Sequence, residues 1–187
     1  AGLVVLALAA FFIFAPGYAD RSMNKVAGPD STAGGASRKL HSTLFVADLH
    51  SDTLLWKRSV LDGKGDGHVD LPRLERGNVG LQVFSSVTKT PRGQNYDPNG
   101  ADTDNITLLA FGQLQPPKTW TSFLERSLWH AEKLRRAEAA SDGRLMIVRS
   151  QQDLERLRAR QGREQGRPVG ALLSIEGLQN LEGRREN

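Results

Sequence analysis

Residues 44–55 read LFVADLHSDTLL, with Asp48, His50 and Asp52 at alternate positions. Apolar and small residues followed by alternating polar ones mark a buried strand running out into a loop. A strand sends residues i and i+2 to one face, about 7 Å apart along its edge. The pattern therefore aims the His50 imidazole and the Asp52 carboxylate the same way. Nitrogen and oxygen donors of this kind suit zinc or a similar divalent ion. Such a pair also occurs as a plain hydrogen-bonded strand end, so the short motif alone leaves both readings open.

A second stretch changes the weighing. Residues 169–177, VGALLSIEG, repeat the pattern of an apolar strand ending in an acidic residue and a glycine, and Glu176 stands at that end. In parallel α/β barrels the reacting groups come from the carboxyl ends of several strands, so two strand ends bearing ligand-type residues support each other.

The chain between them alternates strand and helix. VDLPRLERG (69–77) has Pro72 in a first helical turn and Gly77 past the end, and VGLQVFSSV (79–87) is a second apolar strand. Residues 88–103, rich in Pro, Asn, Asp and Gly, predict a long loop over the mouth of a barrel. A helix is expected over 104–114, stopped by Pro116 and Pro117. Ser122 with Glu125 predicts the cap of a longer helix whose inward stripe is Trp120, Phe123, Leu124, Leu128, Ala131 and Leu134. RLMIV (144–148) is a third strand, Ser150 and Asp153 open a helix turning Leu154 and Leu157 inward, and Val169–Ile175 is the fourth strand. The order β-α-β-α-β-α-β predicts an α/β protein, a parallel sheet with helices outside.

With 187 residues, 39% of them hydrophobic and 25% charged, the chain is long enough for a real core. Its net charge of +4 is densest over Arg156 to Arg167, a run without interleaved aromatics. That composition reads as a solvated helix end and not as a nucleic-acid patch. The absence of cysteine excludes disulfides and thiolate zinc sites, so any metal rests on His and carboxylates.

At the N-terminus, GLVVLALAAFFIFA (2–15) is an unbroken apolar run, with Gly17-Tyr18-Ala19 as a small-x-small cleavage site. Residues 1–19 are read as a signal peptide or membrane anchor, and export to a membrane-anchored, periplasmic or extracellular location is expected. Residues 20–43 shift to Gly, Ser, Ala and charge without a period and read as a flexible tether, with His41 a surface residue at its end. The folded domain is expected over 44–187.

Three motifs, DLHSDTL, HVDLPRLERGNVGLQVFS and ALLSIEGLQNLEG, in that order and spacing, resemble the membrane dipeptidase family, also called renal dipeptidase-like or peptidase family M19. The resemblance covers about Leu44 to the end. It implies the N-terminal half of a metal-dependent-hydrolase type TIM (β/α)8 barrel, preceded by an apolar N-terminal helix. It also implies a zinc-dependent dipeptidase that binds two Zn2+ ions and cleaves a dipeptide substrate with a hydroxide bridging them. By the resemblance, His50 and Asp52 are ligands to one zinc, and Glu176 is the catalytic glutamate that binds both. The family also uses two later histidines, whereas His41, His68 and His130 all precede Glu176. A barrel of this type takes ~250 residues, so about half of one is expected here. The cut sheet would expose a strand edge, and the isolated chain should bind metal weakly, hydrolyse nothing and aggregate.

A phosphoesterase of the polymerase-and-histidinol-phosphatase type is the rival enzyme, because its first strand also ends in DLHxH. Asp52 stands in place of the second histidine and tilts the reading to the dipeptidase. A non-catalytic exported remnant of the barrel is the rival outside enzymology. Asp48 is read as a hydrogen-bond partner to the ligands or as a strand-end cap. His68, beside Asp66 and Asp70, is assigned to a loop network, His130 to the surface, and Trp120 and Trp129 to helix packing.

Overall fold

Four apolar runs become four parallel strands in the computed structural model, which describes residues 2–27, 33–160 and 167–187. The centre of the tether (28–32) and part of the basic run (161–166) lie outside the described residues. The strands are β1 (Val46–Ser51), β2 (Val79–Val87), β3 (Leu145–Ile147) and β4 (Val169–Glu176), in the order β1-β2-β4-β3. The helices are α1 (Gly2–Met23), α2 (Gly35–Ser42), α3 (Leu71–Arg76), α4 (Ile106–Gly112), α5 (Phe123–Ala139) and α6 (Gln151–Ala159). Side-chain oxygens cap three of them: Asp70 accepts from Arg73 N, Ser122 from Glu125 N and Ser150 from Asp153 N. Each satisfies an amide that the first helical turn leaves free. Within the stretch read as a tether, Gly35–Ser42 is helical, and His41 Nε2 lies 2.9 Å from Gly77 O.

The strand order departs from the sequential β1-β2-β3-β4 of a barrel half. Right-handed crossovers give the consequence: moving outward from β2 to β3 puts α5 on one face, and returning from β3 to β4 puts α6 on the other. The packing agrees. Leu134 and Ala137 of α5 and Leu71 and Leu74 of α3 meet Phe84, Val169 and Ala171, whereas Leu157 and Leu154 of α6 meet Leu81, Met146 and Leu172. Helices therefore cover both faces and not only an outside. Gly170 makes the second contact close, since a Cβ there would stand 2.4 Å from Leu157 Cδ2. β3 pairs with β4 only over Val169–Ala171. The far edge of 172–176 has no strand partner among the described residues, and Leu173 and Ile175 are exposed.

α5 also turns a different face inward from the one predicted. Its buried residues are Arg126, Ser127, His130, Leu134 and Ala137, while Leu128 is exposed. Only Leu134 is shared with the predicted stripe. The polar residues are buried because each finds partners there, which removes the cost that keeps such groups at the surface.

Candidate metal centre

The carboxyl ends of β1 and β4 bring three donors together. His50 Nε2 is 3.0 Å from Asp52 Oδ1 and 3.9 Å from Glu176 Oε1, and one ligand atom from each of the three lies within 4.8 Å of the others. Among the described residues this is the only such group of three or more His, Cys, Asp or Glu side chains. The register brings Glu176 to Val87 at the end of β2, beside β1.

Simple strand alternation is not what joins His50 to Asp52. β1 stops at Ser51, and three steps of β1 from Asp48 to Ser51 are matched by two of β2 from Gln82 to Phe84. The extra residue is a bulge, which re-aims the side chains beside it. Asp52 then sits at φ −88°, ψ 17°, outside the strand, in the bridge region where active-site residues recur. Asp48 does not reach either ligand side chain; its Oδ1 accepts from the His50 backbone N–H at 3.2 Å, so it caps the strand end.

Buried bonds hold the turn that follows. Thr53–Leu55 form a buried 3-10 turn, and Thr53 Oγ1 donates to Val69 O. The carbonyls of 54, 55 and 56 would be orphans, and side chains from elsewhere satisfy all three. Lys133 Nζ donates to Leu54 O at 2.6 Å and to Trp56 O, and Gln113 Nε2 donates to Leu55 O at 3.0 Å. Burial, with the Arg58 charge adding to it, lowers the Lys133 pKa to about 8. The loop above is tied down by Arg126, which donates to Asp104 Oδ2 at 2.7 Å and to the carbonyls of Thr88, Thr119 and Trp120. Burial raises the Asp104 pKa, but the bonds from Arg126, Thr107 and Ile106 N outweigh it and the net shift is downward.

His130 is a correction: it is not at the surface but only 1% exposed, and its Nδ1 shares a 2.8 Å hydrogen bond with Ser86 Oγ. Burial first, then the charges of Lys133 and Arg126, lower its pKa to about 3, so the ring is neutral. Arg126, His130 and Lys133 were missed as site supports, although they recur at i, i+4 and i+7, the spacing of one helix face. Asp70 caps α3 and pairs with Arg73, which takes it out of any ion cluster with His68. Trp120 stacks edge-on against Phe111, and Trp129 lies under Arg136, as packing residues do.

A cleft of about 680 Å3 opens beside the donors. Asp52 and Glu176 share its lining with Trp56, Val87, Gln94 and Asn105, and Phe11, Ala15 and Ala19 of α1 form its opposite wall. The donor set fits a divalent ion. It offers one imidazole and two carboxylates, and among the described residues neither carboxylate pairs with a lysine or arginine in a chain of net charge +4. Their negative charge is thus left for a cation.

At the other end, α1 is one helix long and apolar enough to cross a membrane, with mean hydropathy 2.1 and none of that window buried. It touches the domain from its middle onward: Phe12 packs edge-on to Phe111, Asp20 pairs with Arg58, and just past its end Asn24 O accepts from Gly67 N.

Comparison with solved structures finds a similar chain described as dipeptidase AC, a metallopeptidase of family M19, at 21% identity and a TM-score of 0.41. The match covers 74% of this chain and 38% of that one, so the chain spans about two fifths of the length of the solved structure. Comparison with curated proteins returns no match. The sequence pattern of the membrane dipeptidases, peptidase family M19, matches residues 36–186, and a match over most of its length means that the chain belongs to that family.

Proposed function

We propose that this chain carries part of the active site of a zinc-dependent dipeptidase, with His50, Asp52 and Glu176 as its metal ligands and Glu176 as the residue shared between two ions. The convergence of three donors from two strand ends within 4.8 Å carries the reading. Family membership supports it by implying a metal cofactor and a peptide substrate, and it does not favour the phosphoesterase or the remnant. We further read β1, β2 and β4 as consecutive staves of a barrel and β3 as a short addition at its lower rim.

Zinc held there would supply a bound water acidified to near neutrality and a Lewis acid for a carbonyl oxygen. His50 contributes a neutral nitrogen, and Asp52 and Glu176 contribute two negative charges that offset the cation. A zinc ion in a catalytic site takes about three protein ligands and keeps one position open. Three donors therefore complete one ion, and a second needs donors from outside this trio. The cleft of about 680 Å3 is closed on one side by α1, so with α1 serving as signal or anchor a dipeptide would meet it as an open groove. Gln94 and Asn105 offer amides to the dipeptide's main chain, and Trp56 and Val87 an apolar wall. α1 serves as signal or anchor and places the domain outside the cytoplasm, at or beyond a membrane.

The test is metal content and dipeptide hydrolysis of the full-length protein against Glu176→Gln. The variant is expected to lose most zinc and activity; unchanged zinc content overturns the bridging role.

A further inference from the structure

Behind Glu176 runs a chain of buried polar side chains that the proposed chemistry does not use. β2 and β4 stay in register to their ends, with Ser86 opposite Ile175 and Val87 opposite Glu176. Ser86 Oγ bonds His130 Nδ1 at 2.8 Å and Ser127 Oγ at 3.3 Å. Ser127 Oγ accepts in turn from Asn180 Nδ2 at 3.1 Å. Asn180 lies in the 3-10 turn Leu178–Leu181, directly after Glu176 and Gly177. One hydrogen-bonded line thus runs from the end of β2, across α5, to the turn that leaves the glutamate.

The glutamate's own backbone is held from the same turn. Gln179 Nε2 donates to Glu176 O at 2.8 Å. That fold-back needs glycine at 177, where φ is +78° and a Cβ would stand 2.1 Å from Gln179 Oε1. His130, Ser86, Ser127 and Asn180 are all buried. An unsatisfied group at such depth costs about 1–3 kcal/mol; Asn180 Oδ1 has no hydrogen-bond partner among the described residues, so it is the Nδ2 bond to Ser127 that ties the turn into the line.

We propose that His130 is a positioning residue for Glu176: it reaches no donor atom itself but fixes, through Ser86, Ser127 and Asn180, the strand end and turn that aim the carboxylate. The proposal rests on reading His50, Asp52 and Glu176 as a metal site. A neutral ring suits the role, because it adds no charge beside a cation and keeps its hydrogen bond throughout the neutral pH range. Supporting bonds of this kind typically change metal affinity about 10–100-fold when lost.

The experiment is a Co2+ titration of the full-length protein, following the visible absorption bands and the Kd, on wild type, His130→Leu, His130→Asn and Asn180→Ala, with an unfolding midpoint for each. Leucine fills the space without the hydrogen bond, and asparagine restores a polar atom where Nδ1 stood. His130→Leu and Asn180→Ala are expected to weaken Co2+ about 10–100-fold and shift the bands, with His130→Asn recovering most of both. A lowered midpoint with wild-type Kd and bands in these two variants means a merely structural role and overturns the proposal. Should His130→Leu fail to fold, Asn180→Ala decides, since it cuts the same line within the turn. Wild-type protein that takes up no Co2+ overturns the metal-site reading itself, and this inference with it.

Discussion

The three proposed ligands and the buried face of α5 are opposite kinds of polar region. His50, Asp52 and Glu176 have side chains 54%, 47% and 48% exposed and touch mainly one another. Arg126 and His130 are each 1% exposed, and with Lys133 they reach into β2, the 53–56 turn and the loop above the cleft. Exposed donors remain open to an ion and a substrate; buried ones spend their hydrogen bonds on β2, the 53–56 turn and the loop above the cleft. On the proposed reading, the residues that position such donors are ones that never meet the ion.

The largest effect should come from Arg126→Met. It leaves Asp104 without its cation and the Thr88, Thr119 and Trp120 carbonyls without donors. Breaking one side of such a pair costs about 3–5 kcal/mol, measurable by denaturant unfolding, and a loss under about 1 kcal/mol would mean that the knot is ornamental. Next is the acid response of His130. Its folded pKa of about 3 lies below the model-peptide 6.5, so the unfolded chain binds the extra proton and stability falls as pH drops through 6.5 toward 3. The loss is on the order of 3 kcal/mol between pH 6.5 and 4, and His130→Leu should lose that part of the slope.

Lys133 should respond in the alkaline range. With a folded pKa of about 8 against 10.5, the unfolded chain holds the proton over that window, so this group's contribution to stability rises from pH 8 to 10.5. Relative to Lys133→Met, wild type should gain on the order of 1 kcal/mol between pH 7 and 9; parallel pH curves for the two proteins would contradict the assigned burial cost. Smallest is Arg144→Ala. The Arg144–Glu75 pair is half exposed, and its loss should move stability by less than about 1 kcal/mol. A larger shift would remove the contrast between surface pairs and the α5 interior.

Much of this was legible in the residue order. The caps at Ser122 and Ser150, the apolar strands and the acidic end of β4 follow from local rules that need no partner. His50, Asp52 and Glu176 were readable as donors because their chemistry and their strand-end positions are local too. The inward face of α5 was not. Its apolar stripe pointed to Leu128, but burial of Arg126 and His130 depends on carbonyls and hydroxyls supplied by β2 and the loops, far away in the chain.

Alternation along the chain determined that strands and helices interleave and that metal-type donors end two of the strands. Tertiary structure alone decided that β4 lies between β2 and β3, that a bulge and a turn swing Asp52 to within 3.0 Å of His50, and that polar side chains fill the space behind Glu176. The reason is that secondary structure answers to neighbours a few residues away. Strand order, bulges and the burial of polar groups answer to partners that only the folded chain brings into reach.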